Sequence, residues 1–317
     1  MIPQSKFKPA WWLPGPHLQT IWANRIRPKP AITLKRERIE LDDGDFIDLD
    51  WNDQQGGPLI LILHGLEGSS NSNYAAGILR SFSQRGWTAV LMHFRGCSGE
   101  PNRLARRYHA GETDDLTLIL ELLRQRYPDR PVFAVGYSLG GNVLLKWLGE
   151  TGENNPLSAA LAISVPFKLA DCAERLNHGF SRIYQKILLT IMLRATREKY
   201  ARRDGVDLRI TKQLHTIRDF DKRITAPLHG FKNIEHYYGD ASSYQHLKHI
   251  MTPTLLLHAR DDPFMWPSTL PIENDLSDRV TLELSPDGGH VGFVSGSLLR
   301  PVYWLEYRVP EYIESFL

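Results

Sequence analysis

A serine between glycines, Gly136-Tyr137-Ser138-Leu139-Gly140, stands directly after the apolar run Pro131-Val132-Phe133-Ala134-Val135 and directly before the helix-forming stretch Asn142 to Leu148. Few folds accommodate that order. A G-x-S-x-G pentapeptide there forces a sharp turn between a buried strand and a helix, and its glycines remove the side chains that would collide. The serine hydroxyl is then held out at the carboxyl end of a sheet. A helix beginning at Leu139 adds unpaired N–H groups and a positive dipole end, both suited to a developing oxyanion. The spacing by itself also fits a glycine-rich turn with an inert serine. Partners elsewhere in the chain separate the two readings.

A serine on such an elbow takes its acid and base in the chain order Ser, Asp or Glu, His. Twelve histidines are available, and context removes most of them. His290 sits in Asp287-Gly288-Gly289-His290-Val291-Gly292-Phe293, after the strand-like Val280 to Leu284 and before a terminal helix. The acid is expected at Asp261-Asp262, which follows Thr254-Leu255-Leu256-Leu257-His258, a buried strand by composition. Asp262 is favoured over Asp261 because Pro263-Phe264-Met265 continues it in the Asp-Pro-apolar-apolar register usual for this acid. Its task would be to accept the imidazole N–H and fix the tautomer. Oxyanion donors are expected from the backbone N–H groups of Leu66 and Leu139, because His64-Gly65-Leu66-Glu67-Gly68 follows the apolar strand Leu59 to Leu63. His64 is read as a structural residue that holds this loop.

These motifs occur together with His93-Phe94-Arg95-Gly96-Cys97-Ser98-Gly99-Glu100-Pro101-Asn102-Arg103 and an amino-terminal Pro16-His17-Leu18-Gln19-Thr20. In combination they resemble the YheT-type branch of the AB hydrolase superfamily over nearly the whole chain. The resemblance implies carboxylic-ester hydrolysis through Ser138, Asp262 and His290. Its eukaryotic members act on medium-chain fatty-acyl esters and on acylglycerols or phospholipids.

The alternation of elements points to the same fold class. A hairpin at 35–41 and 46–51, a strand at 59–63, a helix near 74–84, a strand at 88–93, a helix near 113–126, the elbow unit and a strand at 159–165 follow one another. Strands separated by helices imply parallel pairing with helices on both faces. The expectation is an α/β-hydrolase fold with a mostly parallel eight-stranded sheet and an inserted helical lid. The core would comprise residues 1–166 and 250–317, and the lid residues 167–249. At 317 residues and 42% apolar content the chain can fill such a core. No run approaches the roughly 18 apolar residues of a membrane span, and Met1 to Ala10 lacks a signal-peptide core, which favours a cytoplasmic protein. Cys97 and Cys172 lie far apart without metal-ligand spacing. Neither a disulfide, a metal nor a cofactor is expected.

Between 168 and 248 the alternation stops, and sixteen Lys and Arg face nine Asp and Glu, an excess of +7 in a chain of +2. A helix at 182–203 places Tyr184, Ile187, Leu188, Ile191, Met192 and Ala195 at helical spacing, with Arg182, Lys186, Arg194, Arg197 and Lys199 elsewhere. The stripe is expected to pack on the body and the basic residues to face solvent, with peripheral contact to an anionic membrane as the second reading. Nucleic-acid binding has no support beyond that charge. His109 and Asp114 have the H-x₄-D spacing of some acyltransferases, yet the segment also reads as a simple helix start. The expected activity is a serine esterase acting on a small acyl ester of short to medium chain. A thioesterase or acyltransferase sharing the acyl-enzyme, or a binding protein on a hydrolase scaffold, are the alternatives. Oligomeric state is not legible.

Overall fold

The computed structural model describes residues 2–201 and 203–317. Eight strands, β1 (Leu34–Glu40), β2 (Phe46–Asn52), β3 (Gly56–Leu63), β4 (Trp87–Met92), β5 (Val132–Tyr137), β6 (Leu157–Ile163), β7 (Thr254–Ala259) and β8 (Val280–Ser285), make one sheet in the order β1-β2-β4-β3-β5-β6-β7-β8. Neighbours from β4 to β8 pair in parallel, and β2 is antiparallel to both β1 and β4. The sheet is therefore mostly parallel, and its central strands are apolar on both sides as burial under two helical layers requires. Along β3 the residues divide by the period of two: Leu59, Leu61 and Leu63 enter one core, Ile60 and Ile62 the other. The edge strand β1 is charged instead. Arg36 and Arg38 stand directly opposite Asp50 and Asp48 and bind them at 2.7 and 2.8 Å, a cross-strand ladder that protects the open edge.

Helix α1 (Gly15–Ile21) precedes the sheet, and α2 (Asn73–Ser83), α3 (Asp114–Arg126) and α4 (Leu139–Thr151) connect its strands. Between β6 and β7 the chain leaves the sheet and forms α5 (Leu169–Arg175), α6 (Ser181–Tyr200), α7 (Ile217–Phe220), α8 (Ala226–Leu228) and α9 (Ile234–Ala241). Helix α10 (Leu305–Glu314) ends the fold. Helices α3 and α4 cover one face of the sheet, α2 and α10 the other. The helical insertion has a small core of its own, including Tyr184, Leu189, Met192, Ile217 and Phe220.

The structure departs from the sequence expectations in helix α6 and after β8. The α6 stripe is rotated: Tyr184 and Met192 are buried, but Ile187 is exposed and Leu189 takes an inner position. Lys199, expected on the solvated face, is buried because Asn102 Oδ1 and Arg106 O accept its ammonium hydrogens. The helix ends at Tyr200, and Arg202 of the expected span lies outside the described residues. A second two-stranded sheet, β9 (Val294–Ser297) with β10 (Arg300–Tyr303), occupies a stretch read only as the approach to the terminal helix. Its Ser, Gly and Pro content hides it from any alternation signal.

Candidate active site

The elbow fixes Ser138 in an uncommon conformation, φ 51° and ψ −118°, at the junction of β5 and α4. Its N–H donates to Ile163 O at 2.8 Å, and its carbonyl accepts the Asn142 N–H at 3.0 Å. Strand β6 therefore holds one side of the turn and the helix the other. A side chain at position 140 would put Cβ 2.5 Å from His64 O and 2.6 Å from Leu63 O, so only glycine lets α4 pack against the end of β3. Strain of this kind persists where surrounding bonds over-determine the backbone.

Three side chains from separate elements meet here. His290, from the loop after β8, has Nε2 2.9 Å from Ser138 Oγ. Its Nδ1–H donates to Asp262 Oδ2 at 2.8 Å, which leaves Nε2 free to accept the serine hydroxyl. The second Asp262 oxygen accepts the Phe264 N–H at 2.8 Å, and the Phe264 ring lies flat on the imidazole at 3.9 Å. Asp262 and His290 are both buried. Asp261 instead accepts the Gly289 N–H at 2.9 Å, and its other oxygen has no partner among the described residues. Burial pushes its carboxyl up to about 6.

The loop after β3 is pinned on both sides of Leu66. Gly65 N–H donates to Tyr74 OH and Glu67 N–H to Tyr108 OH, each at 2.8 Å. Glu67 has φ 51°, and its carboxylate accepts the Tyr108 hydroxyl at 3.0 Å and Arg107 at 2.8 Å. The Leu66 and Leu139 amides thus belong to two rigid segments, the pinned loop and the first turn of α4, where N–H groups lack intrahelical partners. His64 is completely buried, accepting the Phe94 N–H on Nε2 at 3.1 Å and donating from Nδ1 to Gly65 O at 2.7 Å. Burial first, and then His93, lower it to about 3, so it stays neutral as a loop anchor.

Ser138 opens into a cavity of about 90 Å³ lined by both Leu66 and Leu139 and roofed by the insertion through Ala173, Leu176, Leu188, Met192 and Ile217. A smaller lobe of about 40 Å³ adjoins it and carries Glu67, Arg107, His109 and His229. Asp221 lies on the wall common to both lobes. It accepts from Thr225 at 2.7 Å and Tyr238 at 2.9 Å, and burial raises its carboxyl to about 6.

His109 does not pair with Asp114, which is exposed; its acidic neighbour is Glu112, 3.6 Å away. His109, Glu112 and His229 bring ligating atoms within 4.8 Å of one another. The chemistry argues against a metal there. Gly111 N–H donates to His109 Nδ1, which places the proton on Nε2, and Arg106 engages Glu112 at 2.6 Å. Burial holds His109 near 3 and His229 near 4, both neutral. Burial also raises both thiols, that of Cys172 to about 12, so neither cysteine is an activated nucleophile.

Sequence reasoning missed the residues that hold the His290 loop. Ser164, with φ 51°, accepts the Val291 N–H at 3.0 Å. Gln19, Thr20 and Asn24 approach the same loop from the amino terminus. The Pro16-to-Thr20 motif was the available signal, but nothing in the sequence joins it to a loop some 270 residues away.

A strand-turn-helix serine bonded to a histidine and an aspartate beyond the carboxyl ends of a parallel sheet defines a class, and the chain belongs to it: the model of the alpha/beta hydrolase fold family matches residues 58–297. Within that family it is 43% identical over 308 residues to YheT of Escherichia coli (strain K12), an esterase by name, covering 95% of this chain and 91% of that one. It is 31% identical over 323 residues to Phospholipase ABHD3 of Mus musculus, covering 98% and 79%. A Monoacylglycerol lipase of Saccharomyces cerevisiae is 33% identical over 253 residues, 76% of this chain and 56% of that one. Among solved structures, the Pyrococcus furiosus esterase Pf2001 superposes with TM-score 0.59 at 16% identity, covering 93% and 97%. A soluble variant of the Saccharomyces cerevisiae monoglyceride lipase gives TM-score 0.59 at 13% identity, covering 93% and 98%. These likenesses carry the fold. Among the described residues no helix is long and apolar enough to cross a membrane.

Proposed function

We propose that the protein is a serine esterase that cleaves carboxylic esters of short- to medium-chain acyl groups through an acyl-enzyme on Ser138. The observation that carries this reading is the continuous chain of hydrogen bonds from Ser138 Oγ through His290 to Asp262, at 2.9 and 2.8 Å. His290 Nε2 takes the serine proton as Oγ attacks the acyl carbon, and the carbonyl π electrons move onto oxygen. The amides of Leu66 and Leu139 donate to that oxyanion, a contribution of about 10²- to 10³-fold in rate per donor. Collapse breaks the bond to the alcohol, which leaves with the proton from His290. Water then repeats the sequence and releases the acid, while Asp262 stabilises each imidazolium.

The apolar roof of the cavity supports an acyl chain longer than acetyl. The esterase and lipase names of the relatives favour oxygen esters over thioesters as substrates. The test is hydrolysis of p-nitrophenyl esters beside acyl-CoA thioesters by the wild type and Ser138→Ala. Turnover of the oxygen esters should vanish in the folded variant. Full activity of Ser138→Ala would end the serine-esterase reading, and a preference for acyl-CoA would move it to a thioesterase.

A further inference from the structure

The motif Pro16-His17-Leu18-Gln19-Thr20 has no part in the chemistry just described, and it lies outside the residues matched by the family model. Gln19 and Thr20 of this motif nevertheless reach one loop, joined there by Asn24. His290 N–H donates to Thr20 Oγ1 at 2.9 Å, and the same hydroxyl donates to Pro16 O at 2.7 Å. Asn24 Nδ2 donates to His290 O at 3.2 Å and to Thr20 O at 2.9 Å. Both main-chain polar groups of His290 are therefore held by residues 20 and 24. Gln19 is completely buried and grips the far end of the loop, accepting the Val294 N–H at 2.7 Å and donating to Val294 O at 3.0 Å. The contact leaves no room for a side chain at Gly289, φ +62°, where Cβ would stand 2.5 Å from both Pro16 O and Thr20 Oγ1. Val291 and Phe293, with φ 52° and 48°, hold left-handed conformations unfavourable for such residues unless external bonds impose them.

A third connection runs through the insertion. His17 Nδ1 lies 3.1 Å from Tyr184 OH, the Tyr184 ring packs 5.1 Å from Phe264, and Phe264 is the ring stacked on His290.

We propose that α1 and the turn after it are part of the catalytic apparatus, with Thr20 and Asn24 as positioning residues that aim His290 Nε2 at Ser138 and with Gln19 bracing the end of the loop. This rests on His290 being the base. Removing a hydrogen bond that sets a base's position should lower the rate of proton transfer more than the affinity for substrate, since neither residue lines the cavity beside Ser138.

The test uses the full chain with p-nitrophenyl octanoate. Thr20→Val keeps the shape and deletes the hydroxyl; kcat should fall about 10- to 100-fold with KM little changed, the scale of a misplaced catalytic group. Thr20→Ser, which keeps the hydroxyl, should recover most of the loss. In a His290→Ala background Thr20→Val should cause no further loss of residual turnover, because residues acting through one group are not additive. Asn24→Ala, at a less buried position, should reproduce the kcat effect and decides the matter if Thr20→Val does not fold. Wild-type kcat in the folded variants, or an equal loss in the His290→Ala background, would overturn the proposal. Wild-type activity in Ser138→Ala or His290→Ala would instead overturn the serine-esterase reading beneath it.

Discussion

Asp261 and Asp262 are neighbours of identical chemistry with different surroundings. Asp262 has its two oxygens engaged by His290 and by the Phe264 amide, whereas Asp261, half-buried, accepts the Gly289 N–H on one oxygen and leaves the other, a buried atom, without a hydrogen-bond partner among the described residues. On the proposed mechanism Asp262→Asn should lower kcat by about 10⁴-fold, because an amide in place of the orienting acid favours the wrong imidazole tautomer. Asp261→Asn should leave kcat close to wild type; a reversed ranking in folded variants would make Asp261 the acid. The same substitution has a consequence for stability. The folded-state pKa of Asp261 is raised from 3.8 to about 6, so the folded chain holds this proton more tightly than the unfolded one. Its contribution is present below the unfolded value and is lost as pH rises through 6. Asp261→Asn should therefore raise Tm at pH 7.5, by about 2–4 °C for each kcal/mol recovered, and leave it nearly unchanged at pH 4. Thermal melts at the two pH values check this, and a larger gain at pH 4 would contradict it. Which of the two aspartates would meet His290 was legible from the Asp-Pro-apolar-apolar register that follows Asp262. The Thr20 and Asn24 contacts were not, because a Thr or Asn carries no sign of a partner distant in sequence.

Among elements, the strands and the elbow were readable because each imposes a local signature: an apolar run for a strand buried on both faces, glycines where backbones nearly touch. The insertion obeyed no such rule. Helix α6 buries Gln185, Thr196 and Lys199 beside Leu189 and Met192, since hydrogen bonds to Asn177, Met192 and Asn102 satisfy those polar groups. A count of apolar residues therefore misplaces its inner face. What the insertion presents to Ser138 is nonetheless mostly apolar, with Asp221 the charged exception, which bears on chain length. Each methylene transferred from water contributes about 0.8 kcal/mol, or about fourfold in kcat/KM, until the cavity is full. Octanoate esters should exceed acetate esters accordingly, and equal kcat/KM for the two would contradict an acyl-binding role. Ala173→Phe, which fills space beside Leu176, should remove about tenfold of the octanoate advantage while sparing acetate.

At the scale of the whole molecule, charge is divided unevenly. Residues 168–248 carry +7 and the remainder −5. Among the exposed residues of α6 are Phe180 at its cap and Ile183 and Ile187 beside Arg182 and Lys186. Such a surface suits weak contact with an anionic interface, and binding to anionic vesicles should then fall as salt screens charges beyond about 8–10 Å. Salt-insensitive binding, or none, would remove that role without touching the chemistry. The alternation of strands and helices made the overall architecture legible from sequence, because parallel crossovers leave few arrangements. The contacts of the amino terminus emerge only when the whole chain is folded, for they join residues 19, 20 and 24 to the loop after β8.

The central claim, that Ser138 is the nucleophile activated by His290, is tested most directly by the mass of the protein itself. After brief reaction with a fluorophosphonate, the intact wild-type chain should gain one adduct, and peptide mapping should place it on Ser138. Ser138→Ala should gain none, and His290→Ala should label far more slowly. An adduct on another residue, or undiminished labelling of Ser138→Ala, would contradict the account.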